Sequence, residues 1–267
     1  MPFRFPDSFF LIAGPCVLED AGLNLDIARH VAGVSERTGA PAIFKASFDK
    51  ANRTSVESPR GPGLERGLQL LGDIREATGL PLLTDVHEPR QAEEVGAVID
   101  VLQIPAFLCR QTDLLVAAGA TGRSVNVKKG QWMAPELMQH SVAKVRAAGG
   151  PDVAVTERGT AFGYGRWVVD MRSFPLMRES CACPVIFDAT HSVQLPGGAG
   201  DASGGEPHYI ETLARAAVAA GADGLFVEVH PKPAEAASDG ANMLPLDRLE
   251  PLITDLLRLR SAMGGTA

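Results

Sequence analysis

Short β-rich runs return along the whole chain, and between most of them the residues fall into helical patterns. The runs are FFLIAG (Phe9–Gly14), PAIFKAS (Pro41–Ser47), PLLTDV (Pro81–Val86), VLQIPA (Val101–Ala106), SVNVKK (Ser124–Lys129), VAVTER (Val153–Arg158), PVIFDAT (Pro184–Thr190) and GLFVEV (Gly224–Val229). Helical patterns follow the first (LNLDIARHVAGVSERTG), second (LERGLQLLGDIREATG), third (RQAEEVGAV) and seventh (YIETLARAAVAAGA), and LDRLEPLITDLLRLRSA closes the chain. Strands alternating with helices imply parallel βαβ units. Eight such units in 267 residues match a closed (β/α)8 TIM barrel. An open doubly wound sheet needs a glycine-rich phosphate loop after its first strand, and GPCVLE is not one. The expectation is one barrel domain over residues 1–267 with long loops after strands two, seven and eight. No Lys-Ser/Thr follows the glycines at Gly197–Gly205, so that loop reads as a lid rather than a nucleotide cradle.

A net charge of −7 leaves no basic excess to neutralise phosphates, so nucleic acid is not an expected partner. No apolar run approaches the roughly 20 residues of a spanning helix, and MPFRFPDSFF lacks a signal-peptide core. No membrane association and a cytoplasmic location are therefore expected. Four cysteines in a chain this long do not make a disulfide framework.

Barrel enzymes carry their chemistry at the C-terminal ends of the strands, and here every strand end is polar. Cys16, His191 and Glu228 leave strands one, seven and eight, which closure makes neighbours, and Asp239 lies in a loop that can fold back over them. A thiolate, an imidazole and two carboxylates suit Fe²⁺, Zn²⁺ or Mn²⁺. His230, on the same face as Glu228, is a rival ligand, and packing roles for Cys16 and His191 stay open. Lys45, Lys50, Arg53, Arg158 and one of Lys128 and Lys129 face the same mouth, which implies a ligand with more than one phosphate or carboxylate. Asp85 and His87 alternate onto one face as an acid–base or structural pair, and Gln103 lies in the fourth strand.

The segments KASFDKANRTS, DVLQIPAFLCRQTDLL, VNVKKGQ, TERGTAFGYG, DATHSVQLPGG and EVHPKP…SDGANMLPL resemble those of the 3-deoxy-D-manno-octulosonate 8-phosphate synthases, over about Leu11 to Leu257. The resemblance implies a (β/α)8 barrel, a homotetramer, and condensation of phosphoenolpyruvate with D-arabinose 5-phosphate and water for lipopolysaccharide synthesis. It also implies the family's metal-dependent class, which has cysteine rather than asparagine after the first-strand Gly-Pro. The metal ligands would be Cys16, His191, Glu228 and Asp239, holding Fe²⁺, Zn²⁺, Mn²⁺ or Co²⁺. By the same resemblance Lys45, Lys50, Lys129 and Arg158 bind phosphoenolpyruvate, and Asn52, Arg53 and Thr54 (often serine in the family) receive the aldose phosphate. Arg110, with Phe107 beside it, reaches across a subunit interface. Asp85, His87 and Gln103 line the pocket, and Asp239 or His87 moves a proton.

Three rivals differ in observable ways. A 3-deoxy-D-arabino-heptulosonate 7-phosphate synthase would show Lys-Pro-Arg after the second strand, where this chain has KANR. A non-catalytic phosphosugar-binding barrel would lack a ligand or cation, and none is missing. A Schiff-base aldolase would trap substrate on a lysine with borohydride.

Overall fold

In the computed structural model, which describes residues 3–53, 55–199 and 202–264, eight barrel strands alternate with eight helices. In chain order they are β1 (Phe10–Gly14), α1 (Ala21–Thr38), β2 (Ala42–Lys45), α2 (Leu64–Thr78), β3 (Leu82–Asp85), α3 (Ala92–Val98), β4 (Val101–Ile104) and α4 (Thr112–Ala120). The second half continues with β5 (Ser124–Lys128), α5 (Met138–Ala147), β6 (Val153–Glu157), α6 (Ser173–Cys181), β7 (Val185–Asp188), α7 (Ile210–Ala219), β8 (Gly224–His230) and α8 (Leu249–Ala262). Each strand pairs in parallel with the next, and β8 returns to β1 from Phe10↔Gly224 to Gly14↔Glu228. The expected (β/α)8 TIM barrel is therefore closed, and Cys16 and Glu228 do become neighbours through that last pairing. No helix among the described residues is long and apolar enough to cross a membrane.

The helix ends follow local chemistry. The Asp20 side chain accepts from the backbone N–H groups of Gly22 and Leu23 and starts α1; Gly39, left-handed at φ 76°, ends it. α1 then buries Ile27, Ala28, Val31 and Val34, one stripe at helical spacing, against the barrel wall. Gly14 is required by a close approach: a Cβ there would stand 2.0 Å from the Lys45 carbonyl oxygen.

Strand alternation separates two apolar regions. Outward residues such as Leu11, Phe44, Leu102, Val127, Val155 and Phe187 join the helices in the larger core. Inward residues Phe10, Ile12, Ile43, Leu83, Val101, Ala154, Ile186 and Phe226 fill the lower barrel, with Phe5 packed against them. Phe5 lies 5.7 Å from the Phe10 ring, its N–H donates to Asp152 Oδ2 at 2.6 Å, and Ser124 Oγ donates to the Phe3 carbonyl at 2.7 Å. The N-terminal segment thus closes the bottom of the barrel.

The loops at the opposite end carry structure of their own. A small antiparallel pair, Thr160–Gly163 with Arg166–Val168, follows β6 and was not expected. After β7, Gln194–Ala199 pairs with Ala202–Gly205. In the loop after β8, Leu244–Pro245 adds beside β8.

Candidate active site

Above the apolar layer the inward residues are polar on every strand from β2 to β8, with two from β5. These residues are Lys45, Asp85, Gln103, Asn126, Lys128, Thr156, Asp188 and Glu228, and all are buried. Unpaired, each would be costly in so dry a place, and the structure pairs them. Thr156 Oγ1 donates to Asn126 Oδ1 at 2.7 Å, Asn126 Nδ2 to Gln103 Oε1 at 3.0 Å, and Gln103 Nε2 to Asp85 Oδ1 at 3.2 Å. Ser47 Oγ closes this chain by donating to both Asp85 oxygens. On the other side Lys45 Nζ reaches Glu228 Oε1 and the Cys16 carbonyl, each at 2.8 Å. Lys128 Nζ pairs with Asp188 and stands over the Phe226 ring, 3.5 Å from its centroid.

Above this layer the Cys16 Sγ lies 3.1 Å from Asp239 Oδ2 and 3.2 Å from Ser238 Oγ. One ligand atom each of Cys16, Glu228 and Asp239 fall within 4.8 Å of one another. His191 Nε2 stands 3.9 Å from Glu228 Oε1, at the edge of that cluster. Glu228 Oε2 is buried without a hydrogen-bond partner. A thiol, two carboxylates and an imidazole around an unpartnered buried oxygen fit a divalent cation. His230 turns away: its Nδ1 accepts from the Lys232 N–H at 3.0 Å and its Nε2 faces Glu19 Oε1 at 3.7 Å.

Protonation reflects this crowding. Burial, then the Glu228 charge, pushes the Cys16 thiol up. Burial also works against the Glu228 carboxylate, but Lys45 and His191 outweigh it and hold its pKa below the usual value. Asp239, half-buried, feels the same burial but is brought down to about 2 by His191, Lys50, its Cys16 contact and Arg53. For Lys50 burial is again the largest influence, yet Cys16, Glu228, Asp85 and Asp239 overcome it and raise its pKa. Asp85 is held well below the carboxylate range, burial notwithstanding, by His87, Lys50 and Lys45.

Of the residues singled out in the sequence, the structure gathers Cys16, Lys45, Lys50, Arg53, Asp85, His87, Gln103, Arg158, His191, Glu228 and Asp239 around one mouth. His87 Nε2 lies 3.5 Å from Asp85 Oδ2, and Lys50 Nζ donates to Ser47 Oγ at 3.0 Å. Arg53 donates to Ser238 Oγ at 2.7 Å, and Arg158 to Gln194 Oε1 at 2.8 Å; each keeps one buried guanidinium nitrogen without a partner. Lys129 does not join them. It is one step out of phase with the inward series Ser124, Asn126, Lys128, and its Nζ lies off the barrel axis, 3.5 Å from Glu157 Oε2 and 3.2 Å from Thr160 Oγ1. The inward lysine of this pair is Lys128. Asn52 is exposed, Thr54 lies outside the described residues, and the expected lid at Gly197–Gly205 includes Gly200 and Asp201, which also lie outside them. Arg110 is exposed on the turn after β4, beside Phe107, whose ring stacks on Trp132 at 6.1 Å.

Sequence reasoning left Lys128 and Lys129 open and took Lys129 by resemblance, gave Asp188 no role, and did not single out Gln194 or Ser238. Strand phase was enough to find Lys128 and Asp188. Gln194 and Ser238 carry no such signal, because loop folding delivers them. Gln194 links the two halves of the mouth, accepting from Arg158 and donating Nε2–H to Asp239 Oδ1 at 3.1 Å.

A closed (β/α)8 barrel with its convergent charged side chains at the C-terminal strand ends belongs to the enzyme class that this architecture serves. Residues 6–261 match the model of the DAHP synthetase I family, and the chain belongs to that family. Its relatives there include the 2-dehydro-3-deoxyphosphooctonate aldolases of Syntrophotalea carbinolica, 55% identical over 96% of this chain and 92% of the relative, and Nitratidesulfovibrio vulgaris strain DP4, 58% identical over 94% and 92%. The protein of the same name from Koribacter versatilis is 55% identical over 98% of this chain and 97% of its own length.

Proposed function

We propose that this chain is a 3-deoxy-D-manno-octulosonate 8-phosphate synthase, the activity also named 2-dehydro-3-deoxyphosphooctonate aldolase. It joins phosphoenolpyruvate, D-arabinose 5-phosphate and water into the eight-carbon keto-sugar acid phosphate and inorganic phosphate, for lipopolysaccharide synthesis. One observation carries the reading: two buried lysines, Lys45 and Lys128, and the unsatisfied guanidinium groups of Arg53 and Arg158 surround a mouth in an acidic protein. Such a mouth suits two phosphates and a carboxylate, and the names of relatives more than 50% identical agree with it.

The chemistry follows from that placement. C3 of phosphoenolpyruvate attacks the aldehyde carbon, whose oxygen takes a proton, and water adds its oxygen to C2 while losing a proton. The resulting C2 centre, bearing hydroxyl and phosphate, expels phosphate by C–O cleavage and leaves the ketone. Holding both substrates side by side makes an encounter of two weakly reactive partners an oriented step. Lys45, Lys50, Lys128 and Arg158 neutralise phosphoenolpyruvate, while Asn52, Arg53 and Thr54 receive the aldose phosphate; Lys129 supports the wall behind Arg158. Asp85, His87 and Gln103 line the pocket, and Asp239 or His87 is placed to carry a proton. Cys16, His191, Glu228 and Asp239 would hold a divalent ion (Fe²⁺, Zn²⁺, Mn²⁺ or Co²⁺). When bound, such an ion supplies Lewis-acid polarisation of an oxygen or a more acidic water.

The same reading makes residues 1–267 one barrel domain in a cytoplasmic homotetramer, with Arg110 and Phe107 serving a neighbouring subunit's mouth. The test is phosphate release from phosphoenolpyruvate with arabinose 5-phosphate and, separately, erythrose 4-phosphate, after chelation and after Mn²⁺ or Fe²⁺ is returned. Turnover with the five-carbon aldose that vanishes on chelation and returns with metal supports the whole reading. Preference for erythrose 4-phosphate makes the enzyme a heptulosonate synthase, and turnover indifferent to complete metal removal ends the metal assignment.

A further inference from the structure

Asp188 ends β7 with its side chain inside the barrel and is fully buried. Its Oδ1 accepts the His191 backbone N–H at 2.9 Å, its Oδ2 accepts His191 Nδ1 at 2.8 Å, and the same Oδ2 takes Lys128 Nζ. A carboxylate only accepts, so Nδ1 carries the proton of this bond and the ring's other nitrogen is turned outward. That nitrogen, Nε2, looks toward Glu228 Oε1 at 3.9 Å, on the side of the Cys16–Glu228–Asp239 cluster. Two acceptors set face to face, with Glu228 Oε2 unpartnered beside them, make a place for a cation. On Asp188's other flank, Lys128 is held over the Phe226 ring.

We propose that Asp188 is a positioning residue that couples the two halves of the site, fixing His191 for the divalent ion and Lys128 for the anionic substrate through one carboxylate. The inference rests on the metal-dependent reading above. A carboxylate behind a metal-bound imidazole fixes its orientation and strengthens its donation, and losing it lowers metal affinity on the order of 10–100-fold. Here the same loss also frees a lysine, so substrate and metal binding weaken together.

The experiment is Co²⁺ binding by chelator competition, followed with the thiolate-to-Co²⁺ absorption band, on wild type, His191→Ala, Asp188→Asn and Lys128→Met. Asp188→Asn is expected to bind Co²⁺ about 10–100-fold more weakly, while Lys128→Met stays within about twofold of wild type. With metal saturating, both Asp188→Asn and Lys128→Met raise KM for phosphoenolpyruvate and leave KM for the aldose near its starting value. Wild-type Co²⁺ affinity in Asp188→Asn, together with lost affinity in His191→Ala, overturns the inference and leaves the metal reading intact. Equal affinity in wild type and His191→Ala instead removes His191 from the metal site and takes both down. An equal drop in Asp188→Asn and Lys128→Met assigns the effect to charge balance and also overturns the coupling. Should Asp188→Asn not fold, Asp188→Glu keeps the charge but displaces the carboxyl by one methylene; the same fall in Co²⁺ affinity is expected, and unchanged affinity overturns the proposal.

Discussion

The lower and upper halves of the barrel interior are built by the same strands, two residues apart, on opposite rules. Below, Phe10, Ile43, Leu83, Ile186 and Phe226 meet one another and exclude water. Above, Lys45, Asp85, Lys128, Asp188 and Glu228 are just as buried, yet each is held by a named partner. The lower layer satisfies itself. The upper region does not: Glu228 Oε2, His87 Nδ1 and single guanidinium nitrogens of Arg53 and Arg158 lack partners. Buried polar atoms are ordinarily paired, so at the mouth these atoms are free to take a ligand or water. One half of the interior supplies stability and the other holds charge in readiness.

Substitutions can break this division. Phe10→Ala removes a fully buried ring from the lower layer and is expected to cost about 3–5 kcal/mol in chemical denaturation, with kcat of the remaining folded enzyme close to wild type. A large fall in kcat of the folded fraction would show that the two layers are not separable. Lys45→Met in the upper layer reverses the pattern: kcat/KM falls at least about 100-fold, near 2.7 kcal/mol of transition-state stabilisation, while the protein remains folded when Mn²⁺ is present to face Glu228.

Thr156→Val sharpens the comparison, because it keeps the shape and removes only the donor to Asn126 Oδ1. A loss of about 1–3 kcal/mol is expected for that orphaned acceptor, against almost none for an equal change of shape in the layer below. The smallest effect belongs to the basal plug. Burial raises the Asp152 pKa, so in the folded state its protonated form is favoured; that advantage exists below the unfolded carboxyl pKa and is lost as pH rises through the folded value. Asp152→Asn keeps an acceptor for the Phe5 N–H, so it is expected to stabilise by no more than about 0.5 kcal/mol at neutral pH, with the gain vanishing in acid, as melting curves at two pH values would read.

The barrel was legible because its strands are short, β-branched and set off by helices whose apolar stripes repeat at helical spacing. The helices that escaped notice explain themselves. α4, TDLLVAAGA, is apolar nearly all round, and α6, SFPLMRESC, places Pro175 in its first turn, where a helix tolerates it but a reader sees a break. The strand-end residues were legible because barrel closure and alternation are rules of backbone geometry. Lys129 was chosen by resemblance to a motif, and the phase of β5 selects Lys128 instead. Ser238 and Gln194 reach the mouth through loop conformations that no periodicity encodes.

The plug formed by Phe3 and Phe5 has a kinetic meaning. With the floor closed by these rings and the inward apolar layer, the charged layer among the described residues is approached from the mouth. Product-inhibition patterns would read whether that geometry imposes an order: an ordered pattern means that the ligand against Lys45 and Lys128 arrives first, and a random pattern means that two ligands pass each other at the mouth.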